Sequence, residues 1–208
     1  MAKMHLRYGA MNSGKSSRII NEAYNYESQG FNVVISKPAI DTKAGDKISA
    51  RNGNERKVDL LIGPQDVIVE SLAPFIAKNT LKCVFVDEAQ FLQPRQVDEF
   101  YWEVSEDMGI PVIAYGLRAD FLSIPFPASE RLMALADEIE EIPTLCRCGH
   151  KARLNTRLVD GEFVFEGSQV AIDGEGVQYE SLCKTCYRRE KLAYLATKGS
   201  LASQYSSG

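Results

Sequence analysis

Short runs of apolar residues, several of them β-branched, recur through the first two thirds of the chain: Met4–Tyr8, 31–37, 66–70, 83–87 and 111–117. Between several of them lie stretches with helical spacing, 15–29, 71–79 and 93–108. Continuous apolar strands alternating with helices predict an α/β fold, a parallel sheet covered by helices on both faces. Gly30 and Gly109 stand where the first and last of these helices should stop, and Pro111 follows the second closely.

The texture changes after Pro143. Residues 145–157 are rich in cysteine and basic side chains, and Asp160-Gly161 reads as a hairpin turn between 154–159 and 162–166. A glycine-studded stretch, 167–176, leads to a second cysteine pair and a helical end over 186–196, after which small polar residues read as a frayed tail. The expected organisation is an α/β domain over 1–143, a small subdomain over 144–192 and a flexible tail over 193–208. No internal repeat is present.

Composition narrows the function classes. The 208 residues, 45% hydrophobic and 25% charged, suffice for one α/β domain plus an appendage. Lys and Arg total 24 against 28 Asp and Glu, a net charge of -4. A binder of long nucleic acid usually carries a basic surplus, because phosphate neutralisation supplies most of its affinity, so a nucleic-acid polymer is not the expected partner. No apolar run approaches the roughly 18 residues of a membrane span, and the N-terminus lacks a secretory apolar centre, so a cytoplasmic protein without membrane contact is expected. Five cysteines is an odd count, and four of them form two close pairs, a spacing that suggests metal before disulfides.

The strongest local signal is Gly9-Ala10-Met11-Asn12-Ser13-Gly14-Lys15-Ser16, which fits the phosphate-loop pattern G-x-x-x-x-G-K-[ST] and lies between a predicted strand and a predicted helix. Such a loop converges backbone N–H groups on phosphate oxygens, with the positive end of the following helix behind them. Lys15 would neutralise β- and γ-phosphate charge, and the Ser16 hydroxyl would ligate magnesium.

A second apolar strand ends in Asp87-Glu88-Ala89-Gln90-Phe91. Asp87 suits the magnesium side opposite Ser16, while Glu88, pointing the other way, could take a proton from a nucleophile beside the γ-phosphate. The same letters resemble the acidic box of helicases, but a helicase core needs two such domains and this chain is too short.

Cys146 and Cys148 form a C-x-C pair, and Cys183 and Cys186 a C-x-x-C pair with 34 residues between the two. Four thiolates from two knuckles suit tetrahedral zinc closing a thin subdomain, with His150 as a possible substitute for one sulfur. Cys83, alone in an apolar strand, reads as a small core residue. With only His5 and His150 present, a Ser-His-Asp triad is not expected. Phe91, Leu117 and Phe121 follow strand ends, where open α/β sheets bind ligands; each could wall an acceptor pocket or simply pack in the core.

Together, G-A-M-N-S-G-K-S, F-V-D-E-A-Q-F, residues 115–121, residues 170–179 and C-K-T-C-Y resemble the cellular-type (type II) thymidine kinases over residues 4–187. The resemblance implies a structural zinc on Cys146, Cys148, Cys183 and Cys186, and transfer of the ATP γ-phosphoryl to the 5′-hydroxyl of thymidine or deoxyuridine. It assigns ATP contact to residues 9–16 and to Asp87, Glu88, Ala89 and Gln90, magnesium to Ser16 and Asp87, and proton acceptance to Glu88. It places Val170, Ile172 and Tyr179 on a lasso that closes over the base, Met11 near the thymine methyl, and Phe91, Leu117 and Phe121 in the pocket wall. A homotetramer inhibited by thymidine triphosphate is also implied. The rivals are a phosphate-loop ATPase whose zinc ribbon binds a polymer or partner, and a nucleotide-binding regulator without turnover.

Overall fold

The computed structural model describes residues 2–40, 45–77, 80–169 and 176–205, with side chains as far as 198. In chain order the elements are β1 (Met4–Tyr8), α1 (Lys15–Ser28), β2 (Asn32–Pro38), β3 (Lys47–Ser49), β4 (Glu55–Lys57), β5 (Leu60–Ile62), α2 (Ile68–Ile76), β6 (Leu81–Val86) and α3 (Pro94–Glu99), which runs into a π-helical stretch, Phe100–Asp107. Then come β7 (Val112–Gly116), α4 (Pro127–Leu135), β8 (Glu138–Glu141), β9 (Thr144–Leu145), β10 (Lys151–Ala152), β11 (Leu154–Val159), β12 (Glu162–Val164), β13 (Val177–Leu182) and α5 (Lys184–Tyr205).

The chain divides into two compact units. The first comprises residues 1–9, 14–118 and 125–142, and the second residues 10–13, 119–124 and 143–208. The first is a six-stranded sheet, order β5-β2-β6-β7-β1-β8, in which every pairing is parallel. Strand alternation sorts its core into two layers. Val84, Val86, Val112, Ala114, Met4 and Leu6 pack on one face with Ile68, Leu72, Val97, Phe100, Val104 and Leu132 from the helices. Cys83, Phe85, Ile113 and Tyr115 pack on the other with Ile19 and Ala23 of α1 and with Ile48 of the β3–β4 hairpin. This is the α/β sheet, helix-covered on both faces, that the apolar runs predict.

Three elements depart from the pattern. Residues 66–70, expected as a strand, instead open α2. There Asp66 Oδ2 accepts the Gly63 N–H at 2.7 Å, closing a turn, and Glu99 Oε2 accepts the Ile68 N–H at 2.5 Å, satisfying a helix-start donor. The run 93–108 is helical throughout but changes pitch at Phe100, and the Met108 N–H reaches back five residues to the Glu103 carbonyl. The last helix continues to Tyr205, beyond the predicted 186–196.

The second unit is built on an antiparallel ribbon, order β12-β11-β13. Its predicted hairpin forms at Asp160-Gly161, both with positive φ (51° and 85°), the backbone that a two-residue primed turn requires. Its core is Cys146, Cys183, Cys186, Ala152, Leu182 and Tyr187. No helix among the described residues is long and apolar enough to cross a membrane.

Candidate active site

In the first unit, the candidate side chains stand at the carboxyl ends of β1, β6 and β7. Gly14 caps α1 in the left-handed region (φ 84°) with no side-chain cap, at the helix end where backbone N–H groups point outward. Lys15 is buried, and its Nζ lies 3.4 Å from the Gly9 carbonyl. Burial pushes this ammonium below its ordinary range, while the charges of Glu88 and Asp87 pull it back up. The three side chains therefore share one electrostatic environment. The helix itself is held by charge: Glu22 takes Arg7 and the Tyr115 hydroxyl (2.8 Å), and Arg18 forks onto Glu140 at 2.7 and 2.8 Å.

Asp87, buried at the end of β6, accepts the Glu88 N–H at 3.0 Å, and its own N–H donates to the Ser36 carbonyl at 2.9 Å. Glu88 has φ 47°, an unfavourable left-handed backbone for a side chain of its size. The reason lies in Gln90, which is 2% exposed. Its Nε2 donates to Glu88 Oε2 at 2.5 Å, and its Oε1 accepts the Leu117 N–H at 2.9 Å, just past the end of β7. The carboxylate of Glu88 is thus fixed to the neighbouring strand through one amide side chain.

That arrangement requires glycine at 116, where a Cβ would lie 2.8 Å from Gln90 Oε1 and 3.2 Å from the Gln90 nitrogen. Gly116→Ala should cost roughly 1–3 kcal/mol of stability through overpacking and lower turnover with it. A thermal melt and a steady-state assay of the variant check this, and wild-type values in both would contradict the packing argument.

Phe91 packs edge-on against Phe126 (5.6 Å between centroids), and Leu117 is buried, its carbonyl accepting the Ser129 hydroxyl at 2.6 Å. Arg118 is exposed, with its guanidinium 5.9 Å from the centre of the Tyr8 ring.

In the second unit, β11 and β13 pair in register, Asn155 opposite Ser181 and Arg157 opposite Tyr179. With period-two alternation these four share one face of the ribbon, and Leu154 and Leu182 lie on the other, against the cysteine core. On the first face, Asn155 Oδ1 accepts the Met11 N–H at 2.8 Å and its Nδ2 donates to the Ala119 carbonyl at 2.9 Å. The Ser181 hydroxyl donates to the Met11 carbonyl at 2.5 Å. Arg157 stacks on the buried Phe121 ring at 3.9 Å and donates to the carbonyls of Glu166 and Ser168. The Tyr187 hydroxyl donates to the Phe121 carbonyl at 3.0 Å, and Tyr179 is half-buried, its carbonyl 3.5 Å from Asn12 Nδ2. Val170 and Ile172 lie outside the described residues.

The sulfurs of Cys146, Cys148, Cys183 and Cys186 lie within 4.8 Å of one another, Cys148 exposed and the rest buried. Tetrahedral zinc with Zn–S bonds of about 2.3 Å sets sulfurs about 3.8 Å apart, and Cys148 and Cys183 already stand 3.6 Å apart. The His150 backbone and ring hold the Cys148 thiol below its ordinary value, and the Cys186 backbone does the same for Cys183. Hydrogen bonding to Cys148 Sγ, then burial, pushes the Cys186 thiol up to about 12. Such a cluster resists its fourth negative charge until a divalent cation compensates it, so the donor set fits zinc. His150 Nδ1, 3.4 Å from Cys148 Sγ, contacts a sulfur and stands outside the four-sulfur group.

The family model for thymidine kinase matches residues 2–187. Curated relatives, each called thymidine kinase, come from Ruegeria pomeroyi (39% identical, covering 90% of this chain and 94% of the relative), Pasteurella multocida (40%, covering 93% and 100%) and Chromobacterium violaceum (40%, covering 91% and 100%). The chain belongs to the thymidine kinase family. Within that family frame, Lys15, Asp87, Glu88, Ala89, Gln90, Phe91 and Leu117 fall in the first unit, along with Gly9, Gly14 and Ser16. Ala10, Met11, Asn12, Ser13, Phe121 and Tyr179 fall in the second, as do the four cysteines.

Sequence reading missed Asn155, Arg157 and Ser181, because polar residues in a short ribbon look like solvent-facing positions. The available signal was alternation, since Asn155, Arg157, Tyr179 and Ser181 are all in phase with one another and out of phase with Leu154 and Leu182. Cys83 is fully buried and its thiol is pushed up to about 12 by burial, in keeping with a core residue.

Proposed function

We propose that this member of the thymidine kinase family transfers the γ-phosphoryl group of ATP to the 5′-hydroxyl of thymidine or deoxyuridine, giving dTMP or dUMP for nucleotide salvage. The observation that carries the reading is the buried Lys15 sharing its environment with Asp87 and with a Glu88 carboxylate fixed by Gln90. The phosphate loop and Lys15 hold the β- and γ-phosphates. Ser16 and Asp87 are the residues that would hold magnesium, which when bound neutralises charge developing on the phosphoryl oxygens. The nucleoside O5′ forms a bond to the γ-phosphorus as the bond to the β,γ-bridging oxygen breaks. ADP leaves, and the hydroxyl proton passes to Glu88, which needs to accept it only as the transition state makes that hydroxyl acidic.

Met11, Phe91, Leu117, Phe121, Val170, Ile172 and Tyr179 form the nucleoside side of this reading. The 170–179 lasso excludes water that would otherwise divert the phosphoryl group to hydrolysis, and the cysteine-bound zinc is structural, anchoring the lasso. The domain division at 143 and 192, a homotetramer, feedback inhibition by dTTP and a cytoplasmic location complete the proposal. Presenting thymidine, deoxyuridine, deoxycytidine and deoxyadenosine separately with Mg·ATP tests it. ADP release dependent on thymidine or deoxyuridine alone supports the reading, and equal ADP release with all four or with none overturns it.

A further inference from the structure

Residues 10–13 of the phosphate loop belong to the ribbon unit, and Met11 among them is held by one cross-strand pair. Asn155 and Ser181, in register on β11 and β13, take both backbone polar groups of Met11: the N–H goes to the carboxamide at 2.8 Å, and the carbonyl accepts from the hydroxyl at 2.5 Å. Two side chains thereby do what a paired strand does for one residue of a ladder. Both are buried, 5% and 6% exposed, and the second end of the Asn155 amide is fixed on the Ala119 carbonyl at 2.9 Å. The carboxamide therefore cannot rotate without breaking two bonds.

We propose that the Asn155–Ser181 pair is a clamp that positions the phosphate loop for nucleotide binding, an inference that rests on the kinase reading above. The backbone has only two soft dihedrals per residue, so fixing Met11 on both sides sets the direction of the peptides that follow. An anion-binding loop depends on that direction, because its N–H groups must converge on one point. Asn12, next in line, has φ 65°, a left-handed backbone that asparagine tolerates better than other side chains. Its side chain adds a third tie to the same ribbon, 3.5 Å from the Tyr179 carbonyl. The unit that carries Phe121 and Tyr179 of the nucleoside side also carries loop residues 10–13. The two residues are positioning residues.

The test is the dissociation constant of Mg·ADP for the full chain, with no nucleoside present, in wild type, Asn155→Ala, Ser181→Ala, the double variant and Ser181→Thr. Each alanine variant should weaken ADP about threefold to tenfold, the worth of one lost hydrogen bond. The double variant should lose less than the product of the two, because both side chains hold a single residue. Ser181→Thr, which keeps the hydroxyl, should recover most of the affinity. KM for ATP should rise in step while kcat changes less, a split that general loosening of the fold does not produce. Metal content and melting temperature report on folding, and Ser181→Ala, the smaller change, carries the test if Asn155→Ala loses its metal. ADP affinity within about twofold of wild type in folded alanine variants overturns the clamp while leaving the kinase reading intact. A wild-type chain that binds no Mg·ADP overturns the phosphate-loop reading itself.

Discussion

Glu88→Gln should lose turnover by about 10²-fold or more, the contribution of a positioned general base, while Mg·ADP affinity stays near wild type. The substitution is isosteric, and the partner of the carboxylate, Gln90 Nε2, can donate to an amide oxygen as it does to Glu88 Oε2 at 2.5 Å. The strained backbone at φ 47° and the Gln90–Leu117 contact are therefore retained. The loss should fall on kcat rather than on KM, because the proton moves only as the transition state is reached. Single-turnover measurements with thymidine and Mg·ATP separate the two. Turnover within a few-fold of wild type would remove Glu88 from the proton path.

Removing the metal should have the second large effect. The ribbon core consists of three of the cysteines with Ala152, Leu182 and Tyr187, too few apolar side chains to close a unit alone. Structural zinc binding by four thiolates releases on the order of 10–16 kcal/mol, which in small modules is folding free energy. Chelation, or Cys186→Ser, should therefore release the ribbon, including the Arg157–Phe121 stack, and lower kcat/KM for thymidine by roughly 10²-fold, since misplaced binding groups of this kind cost about that much. Acidification should act in the same direction, since protons compete with metal for the thiolates. Metal content read alongside thymidine kinetics checks both, and a metal-free chain with unchanged kinetics would show that the cysteines play no part in the site.

Much of this architecture is legible in the chain because it depends on spacing. Runs such as Val84–Val86 can be covered only on both faces, and the phosphate loop needs a strand before it and a helix after it, which β1 and α1 provide. The cysteine pairs are equally local, and the structure closes them into one group. What escapes is whatever depends on distant partners. Residues 66–70 carry a strand-like apolar run, yet a turn closed by Asp66 and a helix start satisfied by Glu99 decide the backbone. The edge strand β8, Glu138–Glu141, shows no apolar alternation because an exposed sheet edge is protected by charge. Gln90 reads as one letter of an acidic box until its two ends are seen on Glu88 and Leu117. The contacts of Asn155 and Ser181 with Met11 follow only once β11 and β13 are paired in register.

The measurement closest to the central claim follows the γ-phosphoryl group itself. With γ-labelled ATP, magnesium and thymidine, the label should appear on the 5′-oxygen of thymidine, one equivalent for each ADP formed, with negligible inorganic phosphate. Label recovered as inorganic phosphate, at a rate indifferent to thymidine, would contradict the account and leave a phosphate-loop ATPase in its place.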